Sequence, residues 1–148
     1  MKSWRRKLRR LSGRDLVIVA EAVMMLGIAR AAVGVVPFRR LARFFGKQHA
    51  ETGDELLPED LRQVRRIGQL LRASAAAVPW ECKCLTQSVA GRLMLVRRRI
   101  PSTLYFGVRT DEDGAFDAHA WLRCGSYIVT GGDGHESFTV LTHFADPP

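Results

Sequence analysis

Apolar and polar positions alternate in the last third of this chain, while further upstream the apolar positions recur at helical spacing. In STLYFGVR, residues 102–109, Leu104, Phe106 and Val108 share one face, and DEDG at 111–114 is a turn signal, so a hairpin is predicted. Phe116 to Cys124 alternates as well. It sets Phe116, Ala118, Ala120 and Leu122 against Asp117, His119, Trp121 and Arg123. Gly125 and Ser126 then turn into a strand over Tyr127–Thr130. If that turn is centred between 125 and 126, position 132 faces His119 and brings Asp133 beside it.

Helical spacing governs the segments before these strands. A helix is predicted from about Pro58 to Ala77, with Glu59 and Asp60 at its N-terminus and Leu61, Val64, Gly68 and Leu71 along its packed stripe. Pro37 starts a shorter one, FRRLARFFG, which gathers Phe38, Leu41, Phe44 and Phe45 on one side before Gly46 stops it. CLTQSVAGRLML follows Pro79 and Trp80 and opens on Cys84, with Leu85, Val89, Leu93 and Val96 as its anchoring stripe. Arg97, Arg98 and Arg99 suit the carbonyl end of that helix, and Pro101 prevents its continuation.

Residues 16–36 are apolar enough and long enough to span a bilayer. Glu21 and Arg30 would fall on opposite sides of such a helix, and both would then be hidden in lipid. The segment is therefore predicted to pack on the rest of the chain or on a partner. Peripheral membrane contact is the next reading and a signal peptide a weaker one. With residues 49–58 as loop or hinge, the chain divides into a basic, apolar helical segment, 1–48, and a core, 49–148. The fold class is α+β: N-terminal helices, then a helix packed on a small antiparallel sheet.

The chemistry lies in the core. A thiolate is the nucleophilic form of cysteine, and a helix start favours it because the first N–H groups lack intrahelical partners and the peptide dipoles add there. Cys84 occupies such a start, and His119 on the second strand is the imidazole that can take its proton. Asp133 is the preferred acid to orient that imidazole. Asp117 is the alternative, although it lies two residues along the same strand face, about 7 Å away. Helix-start Cys, strand His and following-strand Asp is the order of parts in transglutaminase-like and papain-like cysteine enzymes.

Taken as a whole, PWECKCLTQSVAGRLMLVRRRIPSTLYFGVRTDEDGAFDAHAWLRCGSYIVTGGDGHESFTVL, residues 79–141, resembles the lasso-peptide leader peptidases, bacterial proteins with a transglutaminase-like core. The basic, apolar upstream segment is similar to their N-terminal part. The resemblance implies a triad of Cys84, His119 and Asp133 and the removal of a leader from a ribosomally made precursor peptide. It also implies a separate leader-binding protein as partner, and an ATP-dependent lasso cyclase that acts on the product. With 148 residues there is little room for a leader-binding domain, so the chain resembles the split, stand-alone form.

Charge and cysteine usage narrow the setting. The net charge is +8, yet residues 1–47 hold twelve Lys or Arg against Asp15 and Glu21 alone, whereas residues 48–148 are nearly balanced. The basic part could face an acidic protein, the leader peptide or an anionic membrane. Nucleic acid is not expected, because no stacking platform or binding motif accompanies the arginines. Three cysteines without secreted-scaffold spacing point to a reducing cytoplasm. The C-x-C spacing of Cys82 and Cys84 is unlike the usual zinc pattern, and neither metal nor cofactor is expected. An acyltransferase with the same triad and a non-enzymatic basic adaptor are the rival readings.

Overall fold

A computed structural model describes residues 2–146 of the chain. Five helices, α1 (Lys2–Leu8), α2 (Gly13–Val35), α3 (Phe38–Leu41), α4 (Pro58–Ala77) and α5 (Cys84–Arg97), accompany a five-stranded antiparallel sheet. Its strands are β1 (Lys47–Gln48), β2 (Thr103–Thr110), β3 (Phe116–Cys124), β4 (Tyr127–Thr130) and β5 (Thr139–Ala145), in the order β1-β5-β2-β3-β4. The class is the expected α+β, with N-terminal helices ahead of a helix on a small sheet.

The alternation in β2 and β3 divides the sheet into two faces. Leu104, Leu122 and Phe144 join the buried core, where Val89, Ala90, Met94 and Leu95 of α5 meet Val64, Ile67 and Leu71 of α4. Gly91 permits the close approach, since a Cβ there would lie 2.9 Å from a Leu122 methyl and 3.1 Å from one of Leu71. On the opposite face Tyr105 stacks on Trp121 at 5.4 Å, and Trp121 on His119 at 5.8 Å.

α2 belongs to the same core. Ala22, Met25, Leu26 and Ala29 are buried in it, and the ends of the helix are tied by charge. Ser12 and Asp15 form a reciprocal cap at the N-terminus, where Asp15 also accepts two hydrogen bonds from Arg66 of α4, at 2.7 and 2.8 Å. Those donors hold the Asp15 carboxyl well below the usual carboxylate range. Glu21, buried, takes Arg98 at 2.6 and 2.9 Å and Arg97 at 3.0 Å. The arginines that close α5 thus grip α2 as well as complementing their own helix end.

Three local expectations are corrected. The expected nine-residue helix after Pro37 stops at Leu41 and tightens into a 3-10 turn over Ala42–Phe44, which takes Phe44 off the common side and leaves it 81% exposed. The stripe expected on α5 is too narrow: the helix is buried through Thr86, Ser88, Val89, Ala90, Gly91, Arg92, Met94 and Leu95, while Val96 is exposed. A central helix has neighbours on most sides, so apolar spacing does not mark a single face. Residues 49–57 form the expected loop, and it is tied to the sheet, because Thr52 N–H donates to the Thr103 hydroxyl at 3.0 Å and Arg123 donates to the Thr52 carbonyl at 2.8 Å. Finally, the register set by the Gly125–Ser126 turn holds for Cys124↔Tyr127 and Arg123↔Ile128, then slips one residue to Leu122↔Thr130. The slip is a β-bulge, a feature that adds local twist and that turn position does not reveal.

Candidate active site

Cys84 is the first residue of α5, preceded by Lys83 in extended conformation. The first hydrogen bond of the helix runs from Gln87 N–H to the Lys83 carbonyl at 3.0 Å, so the N–H groups of Cys84, Leu85 and Thr86 have no partner within it. The thiol therefore sits where fixed dipoles favour negative charge. The approach to it is held from several sides. Gln87 donates to the Cys82 carbonyl at 2.9 Å, Trp80 packs on the core beside α2, and Ser88 shares a buried 2.8 Å hydrogen bond with Thr130 at the end of β4.

His119 comes to the same place from the sheet. β4 ends at Thr130, and beyond it Gly131 turns with φ +71°, a conformation that favours glycine. A Cβ at that position would lie 2.3 Å from the Ala120 carbonyl oxygen. Only this tight turn brings the Gly131 carbonyl to His119, whose Nε2 donates to it at 2.7 Å. In the neutral ring that bond assigns the proton to Nε2 and leaves the lone pair on Nδ1. Phe138 stacks on the imidazole at 4.8 Å and Trp121 lies on its other neighbour position at 5.8 Å, which fixes the ring plane.

Cys84 and His119 line two clefts in common. One, about 470 Å³, is walled by Arg72, Gln87 and the Thr130–Asp133 turn, and brings in polar groups and a cation. The other, about 310 Å³, is apolar and runs over Phe38, Leu85, Phe106, Val108, Ala118 and Leu141. The pair thus sits where a polar and an apolar channel meet. A separate hollow of about 420 Å³ between residues 51–53 and the end of α5 holds Arg99 and Asp146 but neither the thiol nor the imidazole.

The two candidate acids are placed differently. Asp133 is exposed on the wall of the polar cleft, two residues after the carbonyl that holds His119. Asp117 lies opposite Arg109 in the β2–β3 ladder and is bound by that guanidinium at 3.0 and 3.1 Å. Its charge is engaged there. The other thiols lie apart from this chemistry: Cys124 is fully buried, donates to the Pro101 carbonyl at 3.1 Å, and is pushed up to about 12 by desolvation, while burial also raises Cys82.

Sequence reasoning missed two members of the site. Arg72 lies one turn beyond the buried Gly68, at the edge of the packed stripe of α4, where apolar spacing does not mark an arginine, yet it donates to the Val129 carbonyl and borders the cleft. The Gly131 carbonyl is a backbone group, for which the only sequence signal is the glycine pair before Asp133.

A sequence model of the transglutaminase-like superfamily matches residues 32–143, a span that contains Cys84, His119 and Asp133. Among curated proteins and among solved structures, none matches the chain.

Proposed function

This chain belongs to the transglutaminase-like superfamily, and from that premise we propose that it is a cysteine peptidase that removes the leader from a lasso-peptide precursor. The superfamily carries cysteine-protease and acyl-transfer chemistry. The observation that supports the reading most strongly is the shared cleft of a helix-start thiol and an imidazole whose Nε2 is already committed to Gly131. Two channels that meet at this pair suit an extended peptide, with one side of the scissile bond in each.

In the proposed reaction, His119 Nδ1 accepts the thiol proton and Cys84 Sγ attacks the scissile carbonyl. The C–N bond breaks as the imidazolium returns that proton to the leaving amine, and a thioester remains on Cys84. Water, deprotonated by His119, then hydrolyses the thioester to a carboxylate and restores the thiol. The free N–H groups at the start of α5 stabilise the oxyanion. Asp133 places negative charge on the cleft wall, where it stabilises the imidazolium.

The test is mass spectrometry of the precursor, supplied with its leader-binding protein, after incubation with wild type and with Cys84→Ala. Leader release by wild type alone is expected. Equal release by both proteins would refute a cysteine mechanism, and an adaptor would behave in that way. Added hydroxylamine separates hydrolysis from amine transfer, since a transferase returns the hydroxamate as its main product.

A further inference from the structure

The outward side of α2 carries no polar residue along a line that runs almost its whole length. Val17, Ala20, Met24, Ile28, Ala31 and Val35 are all exposed, with Val17 at 66%, Met24 at 51%, Ile28 at 49% and Val35 at 82%. At 100° per residue they fall within an arc of about 80°, and the line is about 27 Å long. A solvated helix face would hold charges there.

The charge in the chain on either side of this line has one sign. Asp15 and Glu21 are the only acidic residues before Glu51, and both are consumed inside the fold, by Arg66 and by Arg97 with Arg98. Arg5, Arg6, Lys7, Arg9 and Arg10 precede the line, and Arg39, Arg40 and Arg43 follow it; all are exposed and none has an ion-pair partner among the described residues. Phe44 stands out among the second group. A second copy pressed on this face would set cations against cations. An anionic surface with an apolar interior satisfies both features at once.

We infer that the exposed side of α2 is a docking face for an anionic lipid bilayer, on which the helix lies in the interface plane. It does not cross the bilayer, because its inner side is buried against α4 and α5 and Glu21 would lose both arginines. The catalytic cleft belongs to other elements, so the enzyme works while attached.

Co-sedimentation of the full chain with vesicles tests this, using phosphatidylcholine alone and phosphatidylcholine mixed with phosphatidylglycerol. Wild type should pellet with the anionic vesicles and stay in solution with the neutral ones. Met24→Glu with Ile28→Glu should lower partitioning at least about tenfold, or about 1.4 kcal/mol, without moving the melting temperature. Arg5→Gln with Arg6→Gln and Arg9→Gln should weaken it and flatten its salt dependence. Failure of wild type to bind anionic vesicles, or undiminished binding by the α2 variant, overturns the inference. So does a wild-type dimer that the α2 variant makes monomeric in the absence of vesicle binding, since a second copy is then the occupant.

Discussion

Helices α2 and α5 pack on each other in one core, and neither divides cleanly into an apolar and a polar side, yet the reasons are opposite. α5 is surrounded by α2, α4 and the sheet, so small and apolar residues around it are what burial demands. α2 is covered on one side only and is apolar on the other as well. Uniform apolarity therefore records a central position in one helix and a surplus in the other. Their charges differ in the same sense: α5 spends Arg97 and Arg98 on Glu21, while the cations around α2 remain unpaired among the described residues.

The largest difference to be expected between the two helices is in activity. Cys84→Ala or His119→Ala should lower kcat/KM for leader release at least about a thousandfold, with little change in melting temperature. Asp133→Asn should cost about tenfold to a hundredfold, since a backbone carbonyl still orients the ring. Changes on the outer side of α2 should leave the rate in solution unaltered. A Met24→Glu enzyme as inactive as Cys84→Ala would break the division of labour.

Next is the link between the helices. Glu21→Ala leaves the Arg98 guanidinium, which is mostly covered, without its carboxylate, and about 2–3 kcal/mol of stability should be lost. Arg97 is half-exposed and contributes less, so Arg97→Ala should cost under about 1 kcal/mol. Urea denaturation of the three proteins measures both. Equal losses from Glu21→Ala and Arg97→Ala would mean that the buried pair is not the one that matters.

How far this arrangement was legible from residues alone depends on the kind of signal. β3 and β4 begin and end where alternation and the Gly125–Ser126 turn put them, although burial in β3 follows position along the strand rather than face: Phe116 is exposed, while Ala120, Trp121 and Leu122 are buried in succession. Cys84 opens its helix as Pro79 and the following apolar run implied. The tertiary partners were another matter. Glu21 read as an obstacle to a membrane span, whereas it is the residue that receives Arg97 and Arg98 from about 77 positions away. Likewise the bulge at Leu122/Arg123 and the Gly131 carbonyl depend on how backbones meet, and side-chain patterns do not encode that directly.

Alkaline stability tests the common core beneath both helices. Cys124 is pushed up to about 12 by burial, so the folded form keeps its thiol proton where the unfolded chain gives it up. Its contribution is complete below the unfolded value of about 8.5 to 9 and disappears as pH rises toward 12, with roughly 2 kcal/mol gone by about pH 10.5. Cys124→Ala should flatten that part of the stability profile. At pH 8 iodoacetamide should modify Cys84 in the native protein and spare Cys124.

The smallest effect is the most discriminating, because one substitution should act with opposite sign on the two helices. In Gly91→Ala the new methyl meets Leu122 at 2.9 Å and Leu71 at 3.1 Å, both fully buried, and overpacking should outweigh the gain in helix propensity by about 1 kcal/mol. In Gly27→Ala the nearest atom is a Trp80 ring carbon at 3.8 Å, an ordinary contact. Propensity then acts unopposed, and α2 should be stabilised by about 0.5–1 kcal/mol. Thermal melts of both proteins read the signs directly: destabilisation at both positions would mean that α2 is as tightly enclosed at Gly27 as α5 is at Gly91.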